Sequence, residues 1–210
     1  RLAFSSAERP QCGDIRLCCR WARARRSANC RREPPGVIWD SLTSMRPPGG
    51  FALAMIDPPW RFKAFSAKGV TSKSAGGQYQ TMDLGDIGDM PLREIMAPDS
   101  WIWLWATNPM LPHALDVLSS WGVRFSTAGH WSKRTARGGQ AFGTGHVLRC
   151  AGEPFLIGCY GRPKVAARNI RSVIEGPLRE HSRKPDEAFS EAARMVPPGA
   201  PKIEIFSRES

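Results

Sequence analysis

The chain has 210 residues, 41% of them hydrophobic, with 30 basic against 19 acidic side chains and a formal net charge of +11. That length supports one sizeable core rather than two independent domains, and no run of eighteen apolar residues is present to span a bilayer as a helix. The charge favours polyanionic partners through phosphate neutralisation and counterion release, so nucleic acid is the expected partner class, with no membrane and no stretch resembling a cleavable signal peptide.

The charge is unevenly spread. Residues 1–36 hold nine Arg and no Lys against Glu8, Asp14 and Glu33, which accounts for six of the eleven net charges. The same head carries Cys12, Cys18, Cys19 and Cys30, whereas the remaining 174 residues carry Cys150 and Cys159. No two cysteines stand at C-x-x-C spacing and no His lies nearer these four than His113, so neither a metal site nor a disulfide framework is expected. The head shows neither helical nor strand periodicity, and Pro34-Pro35-Gly36 closes it like a linker. It is read as a basic appendage, disordered or non-native, since the sequence begins without Met and a plausible start stands at Met45. A basic arm for nucleic acid is the alternative. The globular domain is placed at residues 37–210.

From Phe51 the pattern becomes regular. Phe51-Ala52-Leu53-Ala54-Met55-Ile56 is an unbroken apolar run ending at Asp57, as expected of a central strand buried on both faces. Residues 61–80 are rich in Ser, Lys and Gly without an apolar period, which predicts a mobile surface loop. Trp101-Ile102-Trp103-Leu104-Trp105 reads as the next strand. Its alternate tryptophans are assigned to core packing rather than base stacking, because Ile102 and Leu104 leave the strand no polar face. A helix is predicted over 109–121 with Leu111, Leu115 and Leu118 on one face. Strands follow at 128–133, 154–160 and 172–174. A helix is then expected over 185–195, where Pro185 fits the first turn and Asp186 and Glu187 complement the helix dipole. Lys202-Ile203-Glu204-Ile205-Phe206 reads as the last strand. Strands alternating with helices predict an α/β fold built on a mainly parallel sheet.

In an open α/β sheet ligands bind at the carboxyl ends of the strands, where Asp57-Pro58-Pro59-Trp60 falls. The four residues suit an exocyclic amine whose lone pair is drawn into an aromatic ring. Acceptors around its two N–H bonds, here the Asp57 carboxylate and the Pro58 carbonyl, favour rehybridisation and stabilise positive charge developing on the nitrogen. Consecutive prolines fix the direction of that carbonyl, and Trp60 offers a flat face to a base drawn out of its strand. Taken alone, a turn in which the prolines stop the strand and Trp60 covers the core accounts for the motif equally well.

Further blocks follow in order: Gln78-Tyr79-Gln80-Thr81-Met82, Trp103-Leu104-Trp105-Ala106-Thr107-Asn108, Phe142-Gly143-Thr144-Gly145-His146 and Gly152-Glu153-Pro154-Phe155-Leu156. They continue with Ser172-Val173-Ile174-Glu175-Gly176-Pro177, His181-Ser182-Arg183-Lys184-Pro185-Asp186-Glu187 and Ile205-Phe206-Ser207-Arg208. Over residues 50–208 the chain resembles the adenine-N6 methyltransferases related to the catalytic subunit of the eukaryotic messenger-RNA adenosine methyltransferase, especially their bacterial and phage members.

The resemblance implies a Rossmann-like, S-adenosyl-L-methionine-dependent methyltransferase fold with helices on both faces of the sheet. It implies methyl transfer to N6 of adenine in nucleic acid, DNA in the first place with RNA as the alternative, in the cytoplasm of a bacterial or phage-infected cell. Asp57 would lie between adenine and the methionine end of the cofactor and contact both. Lys184 matches a lysine that binds the cofactor carboxylate, within reach of an anion near the N-terminus of the helix that follows. Arg208 matches an arginine at the cofactor ribose, and Asp40 corresponds to a cofactor-contacting acid before the first strand. The catalytic set is Asp57, Pro58, Pro59 and Trp60. Trp60, Tyr79 and His181 are placed at the substrate, Tyr79 where the family closes its pocket with an aromatic residue. His113, His130 and His146 are assigned to structure, and no catalytic base is assigned, because the proton lost can leave to water.

Two departures accompany the resemblance. The family usually continues past its last strand with a Trp/Gly-containing tail that holds the cofactor adenine, whereas Glu209 and Ser210 alone follow Arg208 here. The domain is therefore expected to be truncated at its C-terminus. Phe206-Ser207-Arg208 stands where a glycine-rich cofactor turn would. A second class of reading, a catalytically inactive member that binds nucleic acid or supports a partner, draws on the short tail.

Overall fold

The computed structural model describes residues 14–18, 35–61, 81–145, 147–179 and 183–207. In chain order these form strand β1 (Asp14–Cys18), helix α1 (Pro35–Thr43), β2 (Phe51–Ile56), the short helices α2 (Leu84–Gly88) and α3 (Leu92–Ile95), and β3 (Met96–Trp105). A 3-10 turn at Asn108–Met110 leads into α4 (Leu111–Ser120), followed by β4 (Arg124–Arg134), β5 (Gly152–Tyr160), β6 (Val173–Pro177), α5 (Asp186–Ala193) and β7 (Lys202–Ser207). None of the described helices is long and apolar enough to cross a membrane.

All seven strands join one sheet in the order β1-β7-β2-β3-β5-β4-β6. Every pairing is parallel except those of β5, which runs against both β3 and β4. Reversal of this one strand matters for the site. It brings the start of β5, not its end, to the edge where the other strands finish: Phe155 stands opposite Trp105, and Gly152 opposite Ser132.

Both faces of the central strands are buried, which is why β2 and β3 read as continuous apolar runs. Ala54, Ile56, Ile102 and Leu104 point to one face, covered by Trp39 and Leu42 of α1, Ile87 of α2, Leu92 and Ile95 of α3, and Ala114, Val117 and Leu118 of α4. Leu53, Met55, Trp103 and Trp105 point to the other, where Ala188 and Ala192 of α5 close the layer. Trp103 stacks on Phe155 with ring centroids 4.0 Å apart, and Trp105 meets Trp131 edge-on at 6.3 Å. The tryptophans of β3 are thus core residues, as their spacing implies, and truncating a buried one to Ala would cost about 3–5 kcal/mol.

Several expectations are corrected. Absence of periodicity predicts no strand in residues 1–36, yet β1 pairs in parallel with β7 along Asp14–Cys18. An open sheet edge recruits a strand through backbone hydrogen bonds, which need no side-chain period. The inward face of α4 is Ala114, Val117 and Leu118, with Leu111 partly packed, and Leu115 is 43% exposed. β3 starts five residues earlier than its tryptophan run and β4 four residues earlier than predicted. Pro185 caps α5 from outside rather than standing in its first turn. At the end of β7, Phe206 has φ 66 and is skipped in the pairing with β1, where Leu17 faces Ile205 and Cys18 faces Ser207. It is a bulged residue in the left-handed region, uncommon for an aromatic side chain, and it stands where a glycine-rich turn was missing from the sequence.

Candidate active site

β2 delivers Asp57 to the carboxyl edge of the sheet. The Asp57 backbone N–H still donates to the Ile205 carbonyl of β7 at 3.2 Å, so the residue is anchored although it lies past the strand. Two prolines follow, with φ fixed and no N–H to satisfy. The Trp60 N–H turns back to the Pro58 carbonyl at 2.8 Å, and the Met82 N–H donates to the Pro59 carbonyl at 2.9 Å. The Pro58 carbonyl, expected to face an amine, therefore already accepts one bond and retains one lone pair.

Trp60 does not present an open face. It is 4% exposed, packs in the core layer under α1–α4, and donates its indole N–H to the Trp105 carbonyl at 3.1 Å. The reading of its ring as a stacking platform is corrected: here it clamps the motif to the end of β3. A large apolar ring with one donor is stable when buried beside a backbone acceptor.

Four charges converge at this edge. Lys184 Nζ lies 3.0 Å from Asp57 Oδ2 and 2.9 Å from Glu153 Oε2, and Glu153 Oε1 takes Lys133 Nζ at 2.6 Å. The Lys184 side chain is only 9% exposed. Its ammonium lies 5.3 Å from the centre of the Trp105 ring, as that of Lys133 lies 4.8 Å from Trp131, a favourable placement for a cation. Lys184 is brought in by a close approach between chain segments. A Cβ on Gly176 of β6 would stand 2.6 Å from the Pro185 Cβ, so only glycine lets the residue after Lys184 lie against the sheet.

Burial disfavours the charges on Glu153 and Lys184, and the attraction of their partners outweighs it. Burial pushes the Glu153 carboxyl up, but Lys184 and Lys133 together hold it at about 2. Burial likewise opposes the charge on Lys184, but Asp57 and Glu153 raise its pKa above the ordinary lysine value. Lys184 is thus a permanent cation and no proton acceptor at neutral pH. The two carboxylates, Asp57 and Glu153, thus alternate with the two ammoniums of Lys184 and Lys133. Two residues past β3, the Thr107 hydroxyl is buried without a hydrogen-bond partner among the described residues. The Asp57 carboxylate at this edge suits a cationic donor, such as a sulfonium cofactor.

The structure brings together Asp57, Pro58, Pro59, Trp60 and Lys184. It does not place Asp40 in the ion-pair cluster: Asp40 is exposed on α1, where its carbonyl accepts from Ser44 and Thr43. Tyr79, His181 and Arg208, the predicted loop at 61–80 beyond Arg61, and His146 lie outside the described residues. His113 sits exposed 3.9 Å from Asp116, and His130 packs beside Gly152, its pKa lowered chiefly by burial. Sequence reasoning missed Glu153 and Lys133. The available signal was an acid at the start of the apolar run 154–160, since a buried carboxylate requires a partner.

An α/β sheet with one reversed strand and an ion-paired carboxylate at its carboxyl edge is the architecture of a Rossmann-like methyltransferase. The MT-A70 family matches residues 51–210, and the chain belongs to that family. MT-A70 methyltransferases use S-adenosyl-L-methionine as methyl donor. The chain is 30% identical over 169 residues to an Arabidopsis thaliana N(6)-adenosine-methyltransferase MT-A70-like protein, covering 76% of this chain and 22% of that one. It is 29% identical over 170 residues to the Homo sapiens N(6)-adenosine-methyltransferase catalytic subunit METTL3, covering 76% and 26%. To the type II methyltransferase M.MunI of Mycoplasma sp it is 24% identical over 188 residues, covering 81% and 78%. The chain thus spans about a quarter of the adenosine methyltransferases it matches.

Proposed function

We propose that the chain transfers a methyl group from S-adenosyl-L-methionine to the N6 amine of adenine in nucleic acid, with DNA as the polymer. The observation that carries the reading is Asp57, a carboxylate fixed at the carboxyl edge by Lys184 at 3.0 Å and followed by a rigid proline pair. DNA is assigned because similarity to the Mycoplasma type II methyltransferase runs over 78% of that protein, and the net charge of +11 suits a phosphate backbone.

Asp57 and Lys184 would hold the donor, which would supply an activated methyl group on a cationic sulfur. Asp57 accepts an N–H of the adenine amine and draws its lone pair out of the ring. The remaining lone pair of the Pro58 carbonyl serves the second N–H. The Asp57 carboxylate stabilises the positive charge that builds on nitrogen. Two of the three N–H donors of Lys184 serve Asp57 and Glu153, which leaves one for a cofactor carboxylate. The proton released from nitrogen passes to water, since Lys184 stays charged.

The test is incubation with isotope-labelled cofactor and unmodified DNA or RNA, followed by digestion to nucleosides and mass spectrometry. Labelled N6-methyladenine from DNA is expected. N4-methylcytosine as the product would overturn the base assignment, and label confined to RNA would overturn the polymer.

A further inference from the structure

We infer that Glu153 is a positioning residue for methyl transfer: its carboxylate grips Lys184 and Lys133 at once and so fixes the Lys184 ammonium against Asp57. The inference rests on the reading of Asp57 as the group that meets the amine.

Geometry carries the argument. Each oxygen of Glu153 has its own ammonium, Oε2 to Lys184 at 2.9 Å and Oε1 to Lys133 at 2.6 Å, so the carboxylate cannot rotate without breaking one bond. Its backbone is equally constrained. A Cβ on the preceding Gly152 would collide with the Trp131 carbonyl and the His130 ring, and the following Pro154 has its φ fixed by its ring. Lys184, by contrast, reaches the site on a flexible four-carbon stem. With Asp57 as sole counter-charge it could swing with that carboxylate. Held also by Glu153 from the start of reversed β5, it becomes a fixed point from which Asp57 Oδ2 is aimed.

Glu153 also keeps Lys184 from belonging to Asp57 alone: the two carboxylates and the ammoniums of Lys184 and Lys133 alternate along one chain of ion pairs. Among the described residues, the groups facing Lys184 are Asp57 after β2, Glu153 on β5, Lys133 and His130 on β4 through Glu153, and the Trp105 ring of β3. On α5, Asp186 is occupied by Arg179 at 2.6 Å and Arg183 at 3.6 Å.

The experiment compares the parent chain with Glu153→Gln and Glu153→Asp, using an adenine-containing DNA duplex and recording kcat and KM. For Glu153→Gln, kcat should fall on the order of ten- to a hundredfold with KM for the duplex little changed. Glu153→Asp keeps the charge on a shorter arm and should recover kcat in part, again with KM little changed. A folded Glu153→Gln protein with parental kcat would overturn the inference. So would a fall in kcat accompanied by an equal rise in KM, or one that Glu153→Asp does not recover at all, which is the result of general loosening. Should Glu153→Gln not fold, full parental kcat in Glu153→Asp overturns it. Failure of the underlying reading is distinct: the parent itself would form no N6-methyladenine, and both statements would fall.

Discussion

The indole N–H of Trp60 donates to the backbone carbonyl of Trp105 at 3.1 Å, tying the last residue of the proline motif to the last residue of β3. The bond crosses 45 positions of sequence and lies in the core. Asp57 is thereby framed from both sides, by β7 through its own N–H and by β3 through Trp60.

Trp60→Phe keeps the apolar ring but removes the donor. The Trp105 carbonyl loses its indole partner, at a cost of about 1–3 kcal/mol. Urea unfolding should show that loss, with DNA affinity by fluorescence anisotropy unchanged. An exposed stacking ring would give the opposite pattern, weaker DNA binding and no change in stability.

Asp57→Asn keeps the shape and one acceptor oxygen but removes the negative charge beside the reacting nitrogen. The methylation rate should fall on the order of a hundredfold or more. Affinity for DNA, supplied mostly by phosphate contacts, should stay near that of the parent. Nucleoside mass spectrometry and anisotropy on the same preparations separate the two effects.

Lys184→Met leaves Asp57 and Glu153 facing each other without their common cation, which should destabilise the fold by about 3–5 kcal/mol near pH 7. The penalty should shrink in acid, as protonation relieves the two carboxylates. Urea midpoints of variant and parent, compared across pH, measure it.

Stability should follow the shifted pKa values. Burial resists ionisation of Glu153, yet Lys184 and Lys133 hold it at about 2 against an ordinary 4.5. Its contribution is therefore complete above the ordinary value and is lost as pH falls from there toward 2. Lys184 is raised, so its contribution is complete below the ordinary lysine range and fades only as pH rises beyond it. The parent should show a broad plateau between these limits, and Glu153→Gln should flatten the acid limb. An unchanged acid limb in that variant would show that Glu153 does not supply it.

Deleting residues 1–34 removes β1 from the sheet edge but retains α1, whose Trp39 and Leu42 pack in the core. We propose that the globular domain survives, with a melting temperature lowered by a few degrees. Collapse of the cooperative transition would show that β1 belongs to the domain.

Side chains that declare themselves locally were legible in the sequence. β2 occupies the six residues of its apolar run, and the alternating tryptophans of β3 pack as their spacing implies. Features set by partners far along the chain were not legible. β1 exists because β7 has an open edge, and α2 and α3 span only five and four residues, too few for a helical period to emerge. The opening residues of β3 include Pro98 and Asp99, which disguise the strand, and the register with β2 slips there, between Phe51 and Leu53. Asp57 and Lys184 were found through a motif and a matched block. Glu153 stood inside another such block, but its role depends on Lys133 and Lys184, 20 and 31 positions away, and spacing alone does not reveal such a meeting.

Lys184 immediately precedes Pro185, the cap of α5, and Ala188 and Ala192 of α5 cover the second face of the sheet. Local opening of that helix would wet the apolar layer and, in the same motion, withdraw the shared cation from two carboxylates. Core solvation and charge separation are then one cooperative event. Amide hydrogen exchange along α5 consequently reports on the ionic state of a site assembled at the ends of other elements, and ligation there should slow exchange in a helix whose own contacts are hydrocarbon.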